Sequence, residues 1–474
     1  MLKFDLIGHK KVKALVRSAL FPYGLQIVAF GFFLLLITIG LRTGSTAAFS
    51  EEMQGIIVNT NFTTLLVWGL WWPSMVIAAI LFGRVWCTVC PMELLSNLAN
   101  RLGKATGMRQ LPLPRWVAAG GAALILYVSL QFIVPVFEVD KLPLATAIML
   151  IVLVSIALLV GFLFKEGRAF CKGFCPASLI LRAYNLVSPF ATRHKSDEVC
   201  ASCTTRDCVS QATRDQFDAR SCPSYLRPYA LTKHDDCVNC FQCAKACPKD
   251  NIGFGFLRQW RGELRMQALK LPLSMFIFVE AGYLSHELFA ESSYTDHLFH
   301  LVPERAAAFL GNQALLPFLE AGWFLVLIPG TIALAAWILR LLGRRHSSIS
   351  DYFSKIAMAL LPVLVTGHAA KALIKLNDVA GYLPHALQNP RGLETAEQIA
   401  AGTIAGADPL LSPLYTTLAL TLAVASAVVF SMARTQRNLK GTTAYGAYAA
   451  IIFYGGLYSF VIFNLFLGVL KGHA

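Results

Sequence analysis

Charge is scarce in this chain. Only 14% of its 474 residues are Asp, Glu, Lys or Arg, against about 25% in soluble globular proteins. Acidic residues are the scarcer sign, 27 against 41 basic ones, while 56% of the chain is hydrophobic. So little charge, set between long apolar runs, excludes a soluble enzyme, a disordered tail and a nucleic-acid binder. Cysteine is absent before Cys87 and after Cys247. Twelve cysteines packed between those limits argue for metal ligation, or less well for disulfides, and against scattered structural thiols. No Cys-x2-Cys-His occurs, which excludes c-type haem.

What is present in quantity is apolar length. Stretches of about 20 such residues span a bilayer as helices. Nine are expected, near 22–41, 62–83, 116–137, 144–164, 271–289, 314–339, 353–375, 411–432 and 443–470. The segment 353–375 is the weakest, because Lys355, His368, Lys371 and Lys375 interrupt it. Segments 1–21, 84–115, 165–270, 341–352 and 433–442 hold 32 of the 41 Lys and Arg. Basic loops face the cytoplasm. The net charge of +14 is therefore read as topology, with the N-terminus inside and the C-terminus outside. The first segment is longer than a signal-peptide core of about 7–15 residues, although the small residues of 43–48 leave cleavage open. The expected fold is an all-α polytopic bundle of about nine helices in a bacterial-type inner membrane. It carries a small α+β ferredoxin-like cytoplasmic insert at 190–256, between a four-span part (1–189) and a five-span part (257–474).

The insert carries the strongest motif, Cys237-x2-Cys240-x2-Cys243-x3-Cys247-Pro248. Three thiolates at this spacing wrap one iron–sulfur cubane, and the fourth serves a partner cluster. Upstream lie Cys200-x2-Cys203-x4-Cys208 and Cys222-Pro223. Two [4Fe–4S] clusters are expected. One is held by Cys200, Cys203, Cys208 and Cys247, the other by Cys237, Cys240, Cys243 and Cys222. Structural zinc prefers two Cys pairs, and a cytosolic face disfavours disulfides. The second and fourth spans each end in a basic residue, a Cys pair and a Pro: Arg84-Val-Trp-Cys87-Thr-Val-Cys90-Pro91 and Arg168-Ala-Phe-Cys171-Lys-Gly-Phe-Cys175-Pro176. These four thiols form either a third metal or Fe–S site, a redox-active thiol set, or a structural turn in which proline stops the chain.

Two membrane-embedded Cys-Pro motifs followed by a two-cluster insert resemble the NosR/NapH-type membrane polyferredoxin family over roughly residues 62–256. The family pattern is Cys-x3-Cys-Pro; Cys171 to Pro176 fits it, and Cys87 to Pro91 is one residue short. The resemblance implies a multi-span electron-transfer component rather than a stand-alone enzyme. It would pass electrons between cytoplasmic donors or the quinone pool and redox partners at the outer face. No flavin domain and no Ser/Asp-Gly-Ala-Thr flavin-attachment sequence accompany the motifs.

Ionisable residues inside a membrane are costly and mark function. His286 and His368 fall toward the outer half of spans five and seven, with Glu280, Glu287 and Glu320 nearby. They are expected either to ligate a b-haem, to bind quinone, to relay protons, or simply to pack. Three functions remain open on these residues: an electron carrier, a redox assembly factor for copper or haem loading, and a transporter with an Fe–S sensor.

Overall fold

The computed structural model describes residues 2–231, 235–258, 268–343 and 348–470. It is mostly helical, with one small sheet. Among the described residues, seven helices are long and apolar enough to cross a membrane: Tyr23–Thr43, Phe62–Phe82, Pro143–Leu163, Gln313–Leu341, Ile349–Gln388, Pro413–Asn438 and Gly441–Leu470. Large apolar side chains such as Leu25, Ile27, Val28, Leu159, Leu422 and Val429 stand exposed on them. Such surfaces in water would aggregate, and in lipid they are at home. The chain is a multi-pass membrane protein on this ground.

Two of the nine expected segments fall outside that set. Segment 116–137 contains a helix of only 16 residues, Gly121–Val136. Gly120, at φ +108°, breaks it from the short turn Arg115–Ala118. Segment 271–289 is a helix over its whole length, Leu271–Phe289, but Glu280, His286 and Glu287 dilute its apolar character. The interrupted segment 353–375 lies within one continuous helix, Ile349–Val379, started by Ser348 Oγ accepting from Asp351 N at 3.1 Å. The expected external C-terminus ends in 471–474, outside the described residues.

The chain forms two compact units. The first comprises Met1–Leu35, Met75–Ala123 and Leu150–Arg265. Its sheet runs in the order β1 (Leu2–Asp5), β3 (Ile252–Leu257), β2 (Phe190–His194), all antiparallel. The N-terminal strand thus completes the cysteine-rich segment. Ile7, Val16, Phe21, Phe241, Cys243, Ala244, Ile252 and Phe254 make the core beneath it, with Phe241 edge-on to Phe254 at 5.2 Å. Lys13 and Arg17 both pair with Asp250. The helix Pro91–Ala105 approaches Pro143–Leu163 so closely that a Cβ on Gly161 would lie 2.3 Å from Ser96 O.

The second unit comprises Leu36–Ser74, Leu124–Met149 and Met266–Ala474. Leu271–Phe289, Ile349–Val379 and Gly441–Leu470 bury Phe276, Tyr454 and Tyr458 completely. Tyr458 OH donates to Ala281 O at 2.9 Å, which satisfies a hydroxyl that hydrocarbon could not.

Candidate metal centres

In the first unit, four thiols meet at two helix ends. Cys87 lies in a tight turn, where Cys87 N donates to Arg84 O and Thr88 N to Val85 O, each at 3.0 Å. Cys171 lies in a wide π turn, Phe170–Phe174, closed by Cys175 N donating to Phe170 O at 2.8 Å. The wider turn accommodates an extra residue. The unequal spacings Cys87-x2-Cys90 and Cys171-x3-Cys175 therefore end alike. Cys90 has φ −66° and ψ 127°, Cys175 φ −67° and ψ 118°. This is the extended region that a following proline imposes. Pro91 and Pro176 then open the helices Pro91–Ala105 and Ala177–Asn185. The proline marks a new helix as well as the end of an old one. First-turn amides of both helices, Met92 on one and Ala177 and Ser178 on the other, face the Cys90 and Cys175 sulfurs.

The four thiols act on one another. Burial pushes the Cys90 thiol far up, and Cys171, Cys175 and Cys87 push it further. Burial also raises Cys171, against the pull of Arg168, and lifts Cys175 to about 12. A nucleophilic or exchange-active thiol needs the opposite, a depressed pKa and access.

Buried arginines surround them. Arg84 is 2% exposed and directs Nη2 at Cys87 Sγ, 3.9 Å away. Arg168, 4% exposed, donates from Nη2 to Cys87 O at 3.3 Å and pairs through Nε with Glu93 at 3.4 Å. Glu93 also accepts from Arg220 Nη2 at 3.0 Å and Gln26 Nε2 at 2.8 Å. Burial alone would raise its pKa, but Arg168 and Arg220 outweigh burial and hold the carboxyl below its usual range. A cavity beside Cys171 is lined by Arg84, Arg168, Arg182, Lys172, Glu166 and Asp236, among others. Arg84 Nε and Arg168 Nη1 are buried without a hydrogen-bond partner among the described residues. Sequence inspection found Arg84 and Arg168 as a repeat but missed Glu93 and Arg220, which no motif flags.

The other eight cysteines divide into two sets. Cys222, Cys237, Cys240 and Cys243 line one cavity. Cys200, Cys203, Cys208 and Cys247 line another. Asn239 and Phe241 flank Cys240 with φ of 52° and 57°. These left-handed residues turn the loop twice, a costly conformation for Phe that clusters at functional sites. Burial raises Cys222 to about 12 and Cys208 to about 11. Half-buried Cys203 is lowered instead, by the Arg206 amide. Asn251, also missed in the sequence, donates from Nδ2 to Cys200 Sγ at 3.1 Å and from its backbone N to Cys247 Sγ at 3.3 Å. One further bond joins the motif loops: Thr88 Oγ1, between Cys87 and Cys90, donates to Val238 O, between Cys237 and Cys240, at 2.8 Å.

Among the described residues, no three His, Cys, Asp or Glu side chains converge on a single metal ion. A lone zinc would need sulfurs within about 2.3 Å of one point. The eight cysteines of the segment instead line two separate cavities, four to each.

In the second unit, the two histidines make different contacts. His368 Nδ1 lies 3.0 Å from Glu280 Oε1, and Glu280 also accepts from Tyr127 OH, which accepts from Gln131 Nε2 at 2.8 Å. His286 stacks on Phe324 at 4.3 Å and meets His300 edge-on at 5.8 Å. Lys371 pairs with Glu287 at 3.3 Å and with Glu291, which explains how a lysine sits inside that helix.

Two stretches, residues 64–109 and 146–190, match the family model of a 4Fe-4S binding domain. They contain the Cys87–Cys90 and Cys171–Cys175 motifs, the helix ends just described. Over 200 residues the chain is 26% identical to the Escherichia coli "Putative electron transport protein YccM", covering 37% of this chain and 52% of that one. It is 24% identical over 195 residues to "Uncharacterized protein MJ0750" of Methanocaldococcus jannaschii, covering 38% of this chain and 76% of that protein. The chain thus spans about half the length of the first relative. No solved structure matches it. The matches support an iron–sulfur electron-transfer family.

Proposed function

We propose that the protein is a NosR/NapH-type membrane electron carrier with three [4Fe–4S] clusters. Two sit in the cysteine-rich segment, as a two-cluster ferredoxin. One is held by Cys222, Cys237, Cys240 and Cys243, the other by Cys200, Cys203, Cys208 and Cys247. The third is held by Cys87, Cys90, Cys171 and Cys175. The grouping of all twelve thiols into three sets of four carries this reading. It is supported by the 4Fe-4S family match on the third set. Each cluster, when bound, supplies a one-electron couple whose potential follows burial, nearby charge and hydrogen bonds to sulfur. The chain's own residues supply thiolates, helix amides and arginines around them. The carrier sits in the cytoplasmic membrane with nine spans and its cysteine-rich segment inside. It relays electrons between a cytoplasmic donor and quinone or a redox partner of the outer face.

Anaerobic purification of the full chain with iron and sulfide analysis tests the count. About twelve irons per chain are expected for three cubanes, and about eight if the Cys-Pro set is empty. Cys240→Ser and Cys171→Ser should each remove a different EPR component. An unchanged spectrum and iron content in either variant would refute that ligand set.

A further inference from the structure

Among the described residues, basic side chains outnumber acidic ones around the Cys-Pro thiols. Arg84, Arg168, Arg182 and Lys172 line the cavity beside Cys171, against only Glu166 and Asp236. Asp236 is engaged by Arg182 at 3.1 Å, and Glu93, which pairs with Arg168, is shared with Arg220. Uncompensated guanidinium buried in protein is expensive. An oxidised [4Fe–4S]2+ core with four thiolates carries about two negative charges, the sign that this basic surplus lacks. Reduction adds one more negative charge, which the same guanidinium groups stabilise.

The other two sets are flanked by less of this charge. Among the described residues no charged side chain lines the cavity of Cys222, Cys237, Cys240 and Cys243, although Arg193 and Arg84 act on Cys237 and Arg168 on Cys240 from further off. Around Cys200, Cys203, Cys208 and Cys247, Arg206 and Lys249 line the cavity with Asp207, and Asp197 also acts on Cys200. Those charges cancel in number. They also sit near half-buried Cys203, where water screens them.

We propose that Arg84 and Arg168 make the cluster of the Cys-Pro motifs the most oxidising of the three, so that electrons entering at the cysteine-rich segment run toward it. This rests on the three-cluster reading above. The step is a single electron leaving a reduced cluster of the segment and entering the Cys-Pro cluster, with no proton moved and no bond broken. The hydrogen bond from Thr88 to Val238 joins the two loops involved. Arg84 reaches a ligand sulfur itself, while Arg168 holds the Cys87 carbonyl and faces Cys171 and Cys240 as well. Both are positioning residues for charge, not ligands.

The experiment is a potentiometric EPR titration of the anaerobically purified full chain, with iron content measured first. In the wild type, the component lost in Cys171→Ser should titrate at the highest potential. In Arg84→Gln and Arg168→Gln it should become at least tenfold harder to reduce at a fixed potential, about 59 mV for one electron. The component assigned to Cys200 and its partners should stay put. Arg84→Lys, which keeps the charge, should retain most of the wild-type value. Loss of the cluster in Arg84→Gln but not in Arg84→Lys would also support the assignment, since charge then decides loading. Loss in both, or an unmoved midpoint in both Gln variants, would overturn it. So would a wild-type Cys-Pro cluster titrating below the other two. Iron near eight per chain in the wild type would instead refute the three-cluster reading, and the inference would fall with it.

Discussion

Asn251 shows at the scale of one residue what tunes a cluster site. Its Nδ2 donates to Cys200 Sγ and to Ser196 O, and its Oδ1 accepts from Ser196 N at 3.0 Å. It ties the strand after Cys247 to the turn before Cys200 and spends a donor on a ligand sulfur. Asn251→Ala should therefore lower the potential of the cluster held by Cys200, Cys203, Cys208 and Cys247. A neutral hydrogen bond is worth about 1 kcal/mol, or roughly 40 mV for one electron. The same titration reads the shift, and an unmoved midpoint would refute the role. The cysteines were legible in the sequence because ligand geometry fixes their spacing. Asn251, Glu93 and Arg220 were not, because a side chain that bonds a sulfur or a guanidinium from a distant part of the chain has no period to betray it.

Elements were legible where length and apolarity agreed. The clean run from Leu144 to Phe164 became the helix Pro143–Leu163. Reading failed where the backbone, not composition, decided. The one-residue difference between the Cys-Pro motifs looked like a defect, and the structure resolves it as a tight turn against a π turn. The N-terminal residues, read only as a basic tail, supply strand β1, because pairing with β3 depends on a partner some 250 residues away. Close helix contact was invisible for the same reason. Gly161 packs on the Ser96 backbone, and an added methyl would sit 2.3 Å from a carbonyl oxygen that cannot swing away. Gly161→Ala should destabilise the protein by about 1–3 kcal/mol, the usual penalty of overpacking. Gly31→Ala is the control: nothing lies within 4 Å of the new Cβ, and alanine is the better helix former. Thermal unfolding in one detergent compares them, and equal midpoints would show that the helices part without cost.

For the whole molecule, the sheet constrains the topology independently of charge. Strand β1 precedes Tyr23–Thr43, and its partners in the sheet follow Pro143–Leu163. Hydrogen-bonded strands lie on one side of a membrane, so the chain between them crosses an even number of times. Tyr23–Thr43, Phe62–Phe82 and Pro143–Leu163 give three. An even count would need Gly121–Val136 as a fourth crossing, although its 16 residues rise only about 24 Å against a hydrocarbon core of about 30 Å. The thiols repeat the constraint. Cys87 and Cys171 lie together, and only Gly121–Val136 and Pro143–Leu163 separate them as crossings. The short helix reaches by local thinning of the bilayer or by its flanking residues. The basic segments 1–21, 84–115 and 165–270 would then all lie on one side, which the positive-inside rule expects to be the cytoplasm. Reporter fusions after Arg109 and Lys249 should behave as cytoplasmic, and fusions near Ala47 and Leu393 as external. A fusion at Asp140, between the short helix and Pro143–Leu163, decides the point. An external signal there is expected, and a cytoplasmic one would mean that Gly121–Val136 does not cross.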